Sequence, residues 1–270
     1  MGLSSNILWH QTNYRGLRNI LKSKSFMCSY SLEEVDEIVG EKIAFPMVSM
    51  CDLPFSELSE YLGKYGDYAI GLTKEWGVKM KFNPIWYYEP KSRVPQILKK
   101  EITDAISNGD DSIFSLIGIL SYMKKLEGPL PSHKYSLYRF YDEREVRFVP
   151  SAGYLASKGN EPMLTSADYK SYKLANGNSS INAIINFDWA DVRYIIVKED
   201  KQVPIFLKYL DRLGCNNKTI GVFSSKQINQ DFIGYKHNRK NHVVTVVYPT
   251  SAMASNIKRL INSKKSGLIP

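Results

Sequence analysis

Cysteine is scarce in this sequence. Cys28, Cys51 and Cys215 are its three thiols, an odd number at wide spacings. That excludes a disulfide framework and fits reduced thiols in a cytosol. No apolar run approaches the roughly 20 residues that span a bilayer, and Met1–His10 lacks the basic and apolar regions of a signal peptide. The expectation is a cytoplasmic protein with no membrane association. Also missing are a P-loop, a Gly-rich dinucleotide fingerprint, a Gly-x-Ser-x-Gly elbow and a Cys/His set at zinc spacing. His237 and His242 have no suitable ligands nearby, so no metal is expected. Nothing marks Cys51 as an activated nucleophile beside His10.

Acidic residues vanish from the C-terminal end. From Phe232 to Pro270 there is no Asp or Glu, while Lys236, Arg239, Lys240, Lys258, Arg259, Lys264 and Lys265 are all basic. Those seven charges make up most of the net +9. Such a tail is either an electrostatic footprint for nucleic acid or a solubilising helix with a charged face.

The rest of the chain can build a sizeable core. Its 270 residues are 43% hydrophobic and 23% charged, with 18 Tyr, which fits a globular protein and argues against wide disorder. The stretch that organises the chain is Tyr138–Pro150, read as one β-strand. Phe140, Val146 and Phe148 share one parity; Tyr141, Glu143, Glu145 and Arg147 share the other. Two carboxylates at i and i+2 would then project together, flanked by an arginine and a tyrosine. One reading is a solvated strand face of alternating charge. The other is a catalytic carboxylate whose partners lie elsewhere.

Candidate partners come from several elements. Residues 7–12 read as a strand, with His10 and Thr12 on one face, followed by a helix over Tyr14–Lys22 capped by Asn13. Ser31–Glu34 has the form of a capping box for a short helix up to Val39. Phe45–Cys51 reads as a strand carrying Ser49, and Asp52-Leu-Pro54 starts a helix to about Leu62. Tyr68–Thr73 is a third strand, in which Gly71 leaves room for a ligand or backbone. Pro84–Tyr88 is a short aromatic strand. Two apolar stripes over 94–127, Ile97 to Ile106 and Ile113 to Met123, predict a helical hairpin. Ser151–Ser180 reads as a long surface loop. Strands over Asn182–Phe187, Val192–Val197, Thr219–Phe223 and Val243–Tyr248 follow, with a helix over Pro204–Leu213. Ser251–Ser263 reads as a basic amphipathic helix.

Three segments carry a resemblance to a known family: His10-x-Thr12 with Gly16–Leu21; Phe45–Pro54 with Tyr65–Leu72; and Phe140–Pro150. Together they resemble the AbiGi family of abortive-infection (phage resistance) proteins. Val146 replaces the tryptophan expected in the Asp-Glu-Arg-Glu-aromatic-Arg strand, a packing change off the charged face. More distantly the chain resembles ADP-ribosyltransferases of the His-Tyr-Glu type, including the DarT-like toxins that modify nucleic acid. The resemblance implies an α+β fold: an ADP-ribosyltransferase-like mixed β core, a single domain over 1–270, with a helical insertion at 94–127 and a basic extension at 232–270.

It also implies chemistry. NAD would be the substrate, and Glu145, or Glu143 by a shift of one strand repeat, would stabilise positive charge building on the ribose. Glu143 could instead orient or deprotonate the acceptor. His10 and Thr12 match the first motif, with His10 holding the adenosine-side ribose. The middle position falls on Tyr68 or Ser49. Arg147 or Arg15 would meet the pyrophosphate. The basic tail, with Lys236, Arg239, Lys240, Lys258 and Arg259, would draw an acidic acceptor, RNA ahead of DNA. A toxin of this kind would need a cognate antitoxin, and a chaperone is a further candidate partner. Two other readings stand beside it: a non-catalytic antitoxin that neutralises a partner, and a nucleic-acid-binding protein using the tail alone.

Overall fold

The computed structural model describes residues 5–62, 64–130, 135–217 and 219–232. In chain order the elements are β1 (Ile7–Thr12), α1 (Tyr14–Ser23), β2 (Ser25–Glu33), α2 (Asp36–Val39), β3 (Ile43–Cys51), α3 (Leu58–Tyr61), β4 (Tyr68–Thr73) and α4 (Lys74–Lys79). Then come β5 (Asn83–Pro84), β6 (Trp86–Tyr88), α5 (Arg93–Asn108), α6 (Ser112–Leu120), β7 (Met123–Lys125), β8 (Glu127–Leu130), β9 (Tyr135–Arg139) and β10 (Glu145–Phe148). The last are α7 (Ala152–Ser157), β11 (Leu164–Thr165), α8 (Ser166–Asn176), β12 (Ser180–Asn186), β13 (Val192–Val197), α9 (Val203–Arg212), β14 (Gly221–Ser224) and α10 (Ser225–Phe232). The result is a mixed α+β fold around one large sheet, ordered β12-β2-β3-β1-β4-β13-β14, with β10 and β11 also on β3. Among the described residues no helix is long and apolar enough to cross a membrane.

Strand alternation builds the core on both faces of the central strands. Leu8, Ile70, Leu72, Ile195 and Val197 face Leu17 and Leu21 of α1 and Phe206 and Leu210 of α9. Trp9, Ala69 and Ile196 face the other way, against Leu53, Leu58 and Ile228. The space that Gly71 leaves is filled from β1: an added Cβ would lie 2.8 Å from the Trp9 ring and 2.9 Å from Ile7. That corrects the expectation of ligand room at Gly71. A third cluster packs α2, α5 and α6 on β3 through Ile38, Ile102, Leu120, Phe45 and Met47.

β3 is shared between two parts of the sheet. Its N-terminal half pairs with β2, Ser29↔Met47 through Glu33↔Ile43. Its C-terminal half pairs with β10, Glu145↔Cys51 through Phe148↔Val48. The β1–β3 ladder is a single pair, Trp9↔Cys51, although β1 pairs with β4 over its whole length. β1 and β2 therefore diverge along β3, and a cleft opens where they part.

Several local expectations are overturned. Tyr138–Pro150 is not one strand: β9 ends at Arg139, a 3₁₀ turn spans Phe140–Glu143, and Arg144 sits at φ 45° before β10 begins. Ser31 lies in β2, so it is a ladder residue and does not form the expected capping box with Glu34; α2 starts only at Asp36. The helix expected from Asp52 shrinks to Leu58–Tyr61, and the Asp52 carboxylate pairs with Lys74 at 2.6 Å. Met123 leaves the helical hairpin and pairs with Trp86 in a parallel two-stranded sheet. The expected loop at 151–180 contains α7 and α8, each started by a hydroxyl cap, Ser151 to the Tyr154 N–H and Thr165 to the Asp168 N–H. The expected strand Val243–Tyr248 and helix Ser251–Ser263 lie outside the described residues.

Candidate functional site

The cleft holds a cavity of about 280 Å³. β1 contributes His10 and Gln11, β2 contributes Ser29, Ser31 and Glu33, and β3 contributes Ser49 and Cys51. Tyr65, Lys124, Glu143 and Glu145 close it from the other side. Glu143 and Glu145 do converge, but the left-handed turn at Arg144 brings them together rather than strand alternation. Glu143, Glu145 and Arg147 are only 2%, 5% and 0% exposed, which rules out a solvated strand face. Tyr141, expected beside them, is 56% exposed.

Burying these charges requires compensation, and the structure supplies it. Arg147 Nε donates to Glu145 at 2.6 Å and Nη2 to the second oxygen at 3.2 Å. Arg147 Nη2 also pairs with Glu33 at 3.0 Å, and Nη1 donates to the Ser121 carbonyl at 2.8 Å. Lys124 Nζ lies 2.9 Å from Glu145 and 3.1 Å from Glu143. The Tyr65 hydroxyl donates to the other Glu143 oxygen. The Glu145 backbone N–H donates to the Tyr87 hydroxyl at 2.8 Å. By formal charge the cluster has three carboxylates and two cations, leaving a net charge of −1.

Electrostatics fixes the protonation states. Burial pushes Glu145 up, but Arg147 and then Lys124 outweigh it and hold the carboxyl well below the usual range. Burial works to lower Lys124, yet Glu145 and Glu143 keep it well above its ordinary value. Burial raises the Tyr65 phenol, reinforced by Glu143, so it stays a donor. Burial, then Glu143, also raises the Cys51 thiol, which leaves it unreactive. His10 is lowered by burial, partly offset by the Ser49 carbonyl. Its Nδ1 lies 3.0 Å from that carbonyl oxygen, which can only accept. His10 is therefore neutral with its proton on Nδ1, and Nε2 is left as an acceptor.

Gln11 is the anomaly. Both carboxamide atoms, Oε1 and Nε2, are buried without a hydrogen-bond partner. An unpaired buried polar atom costs about 1–3 kcal/mol, and a ligand offering a donor beside an acceptor would satisfy both.

The depressed Glu145 carboxyl has a consequence for stability. A carboxyl lower in the folded than in the unfolded state stabilises above the unfolded value, near pH 4.3. That contribution is lost as pH falls below it. Below about pH 4 the stability of the parent should therefore fall more steeply than that of Glu145→Gln, in chemical denaturation at stepped pH.

Other expected site residues go elsewhere. Tyr68 does not line the cavity: its hydroxyl donates to Gln202 at 3.1 Å, and its ring packs on Tyr14 and Phe206. Of the two middle-motif candidates, Ser49 is the one at the cavity. Thr12 is turned toward α1, where an added Cβ on Gly16 would lie 2.1 Å from its hydroxyl. Arg15 is exposed on α1, away from the cavity lining. Arg147 is close to the site but wholly committed to Glu145, Glu33 and Ser121, so its guanidinium is not free for a pyrophosphate. Lys236, Arg239, Lys240, Lys258 and Arg259 lie outside the described residues. Sequence reasoning missed Lys124, Glu33, Tyr65 and Gln11. Lys124 followed a helical stripe that ended at Met123, Glu33 sat in an apparent capping box, and only the need for a counter-ion to two adjacent glutamates signalled that such a lysine was required.

Residues 20–198 match a family described as "Putative abortive phage resistance protein AbiGi, antitoxin". A relative, the abortive phage resistance protein AbiGi of Lactococcus lactis subsp. cremoris, is 26% identical over 178 residues, covering 56% of this chain and 71% of the relative. No solved structure matches. The matched span holds the whole ion cluster, from Glu33 to Arg147, while His10 and Gln11 precede it.

Proposed function

Because this chain belongs to the AbiGi family of abortive phage resistance proteins, we propose that it is the antitoxin of an abortive-infection pair, neutralising its partner without catalysis. The carrying observation is the state of Glu145. Catalysis through an oxocarbenium-like state needs a carboxylate free to meet positive charge where it develops. Glu145 already meets Arg147 at 2.6 Å and Lys124 at 2.9 Å. Separating a buried pair of this kind costs about 3–5 kcal/mol. The cleft on this reading is a recognition pocket, and the family description points the same way.

The test is co-expression with the protein encoded beside it. The expected result is that the neighbour arrests growth, that this chain relieves the arrest, and that Glu145→Gln relieves it equally. Growth arrest by this chain alone, abolished in Glu145→Gln, would overturn the reading.

One placement favours a second reading, NAD-dependent transfer of ADP-ribose to nucleic acid, RNA ahead of DNA. His10, Ser49, Glu143 and Glu145 come from separate segments to line one cavity where the sheet divides. These are residues that the resemblance to DarT-like enzymes singled out. On this reading Tyr65, the tyrosine that lines the cavity, would stack on the nicotinamide, and Gln11 would be a partner for its carboxamide.

A further inference from the structure

α1 and α9 lie side by side and enclose a second recess, of about 200 Å³, lined by Tyr14, Arg18, Ile205, Phe206, Tyr209 and Arg212. It holds two guanidiniums, three aromatic rings and no carboxylate. The Arg18 guanidinium lies 4.7 Å from the centre of the Tyr209 ring and 5.8 Å from that of Tyr14, within cation–π range. The Tyr209 hydroxyl donates to the Arg18 carbonyl at 3.2 Å, which ties the two helices together. Tyr14 also meets Phe206 edge-on at 5.9 Å. The platform is thus fixed in place, and Tyr14 is still 41% exposed.

Basic side chains dominate the charge around the recess. Arg15, Arg18 and Lys22 follow one another along one side of α1 at i, i+3 and i+7, and α1 has no acidic residue. α9 adds Lys208 and Arg212 against a lone Asp211. All five basic side chains are exposed, and among the described residues none of them makes an ion pair. Guanidiniums without an acidic partner beside the half-exposed Tyr14 ring match a phosphate chain with unstacked bases. An acidic polypeptide would use the charges and leave the rings unused.

We propose that the α1/α9 recess binds single-stranded nucleic acid, with a base on the Tyr14–Arg18 platform and backbone phosphates at Arg18 and Arg212. This site is separate from the Glu145 cleft and does not rest on either reading of it. It places nucleic-acid contact on α1 and α9 instead of on the basic tail.

The test uses the full chain, so that the tail is the same in every arm. Fluorescence anisotropy follows binding of a labelled single-stranded RNA, the matching DNA strand, the duplex and a labelled polyglutamate over a range of salt. The expected result is single-strand binding in preference to duplex. Arg18→Ala/Arg212→Ala should weaken it and flatten the log–log salt slope by about 1.4, at about 0.7 per phosphate contact. Tyr14→Ala should weaken single-strand binding about tenfold with the slope unchanged. Arg212 and Tyr14 are exposed, so Arg212→Ala and Tyr14→Ala keep the test decisive if Arg18→Ala fails to fold. Parent-like binding by the variants at every salt would overturn the proposal. So would equal affinity for duplex and single strand, or binding of polyglutamate with none of the oligonucleotides.

Discussion

Arg147→Met should lower the melting temperature by about 10 °C. Arg147 is fully buried and answers Glu145, Glu33 and the Ser121 carbonyl at once. Methionine keeps most of the volume but supplies no charge and no donor. Glu33 then loses its cation, Glu145 is left with Lys124 alone, and the Ser121 carbonyl loses its donor. Breaking a buried pair in this way costs about 3–5 kcal/mol, and in a chain of this size each kcal/mol moves the midpoint by about 2–4 °C. Scanning calorimetry reads the shift directly. A change under about 2 °C would mean that the cluster does not hold the cleft together.

Lys124→Met should cost about 3 kcal/mol and reverse the sign of a pH dependence. Lys124 is the cation shared by Glu143 and Glu145. Without it, two buried carboxylates face each other and one is raised well above its usual range. A carboxyl raised in the folded state contributes stability at low pH that is lost as pH rises through the folded value. The variant should therefore lose stability between acid and neutral pH, over a range where Glu145 and Lys124 of the parent keep their charge. Adding Glu143→Gln removes one of the opposed charges, so the double variant should recover at least 1 kcal/mol. Such coupling is the signature of residues in one network. Denaturant midpoints at stepped pH check both the direction and the recovery. Simple addition of the two single-variant costs would separate Glu143 from the network.

The regular parts of this fold were legible because each showed one period without interruption. Tyr68–Thr73 and Val192–Val197 form the strands expected over those same residues, and Asn13 caps α1 as its side chain predicts. What misled was chemistry shared between two structures. Ser31 and Glu34 have the spacing of a capping box, yet Ser31 pairs with Phe45 in a ladder. The Met123–Lys125 segment continued an apolar helical stripe, but as a strand it sends its lysines opposite ways. Lys124 goes to Glu143 and Glu145, and Lys125 to Glu34, Asp36 and Glu37.

The site was half legible for a related reason. Glu143, Glu145, His10 and Ser49 were found from their segments, and the fold brings them together. Their mutual orientation was not, because it depends on Arg144 at φ 45°, a conformation that no local pattern in Asp-Glu-Arg-Glu announces. Nor could the sequence tell a catalytic carboxylate from a neutralised one. Arg147 flanks Glu145 in sequence, but Lys124 and Glu33 join the cluster only through tertiary packing. The resemblance left the middle position open between Tyr68 and Ser49, and only packing separates them: the face of β4 that carries Tyr68 is covered by α1 and α9.

Nicotinamide release from NAD by the purified full chain tests the central claim most directly, with RNA, DNA and protein offered as acceptors and Glu145→Gln alongside. A neutralised, non-catalytic cleft predicts no release above that of the variant and no label on any acceptor. Release with label on one polymer, both lost in Glu145→Gln, would contradict it and establish transfer of ADP-ribose in its place.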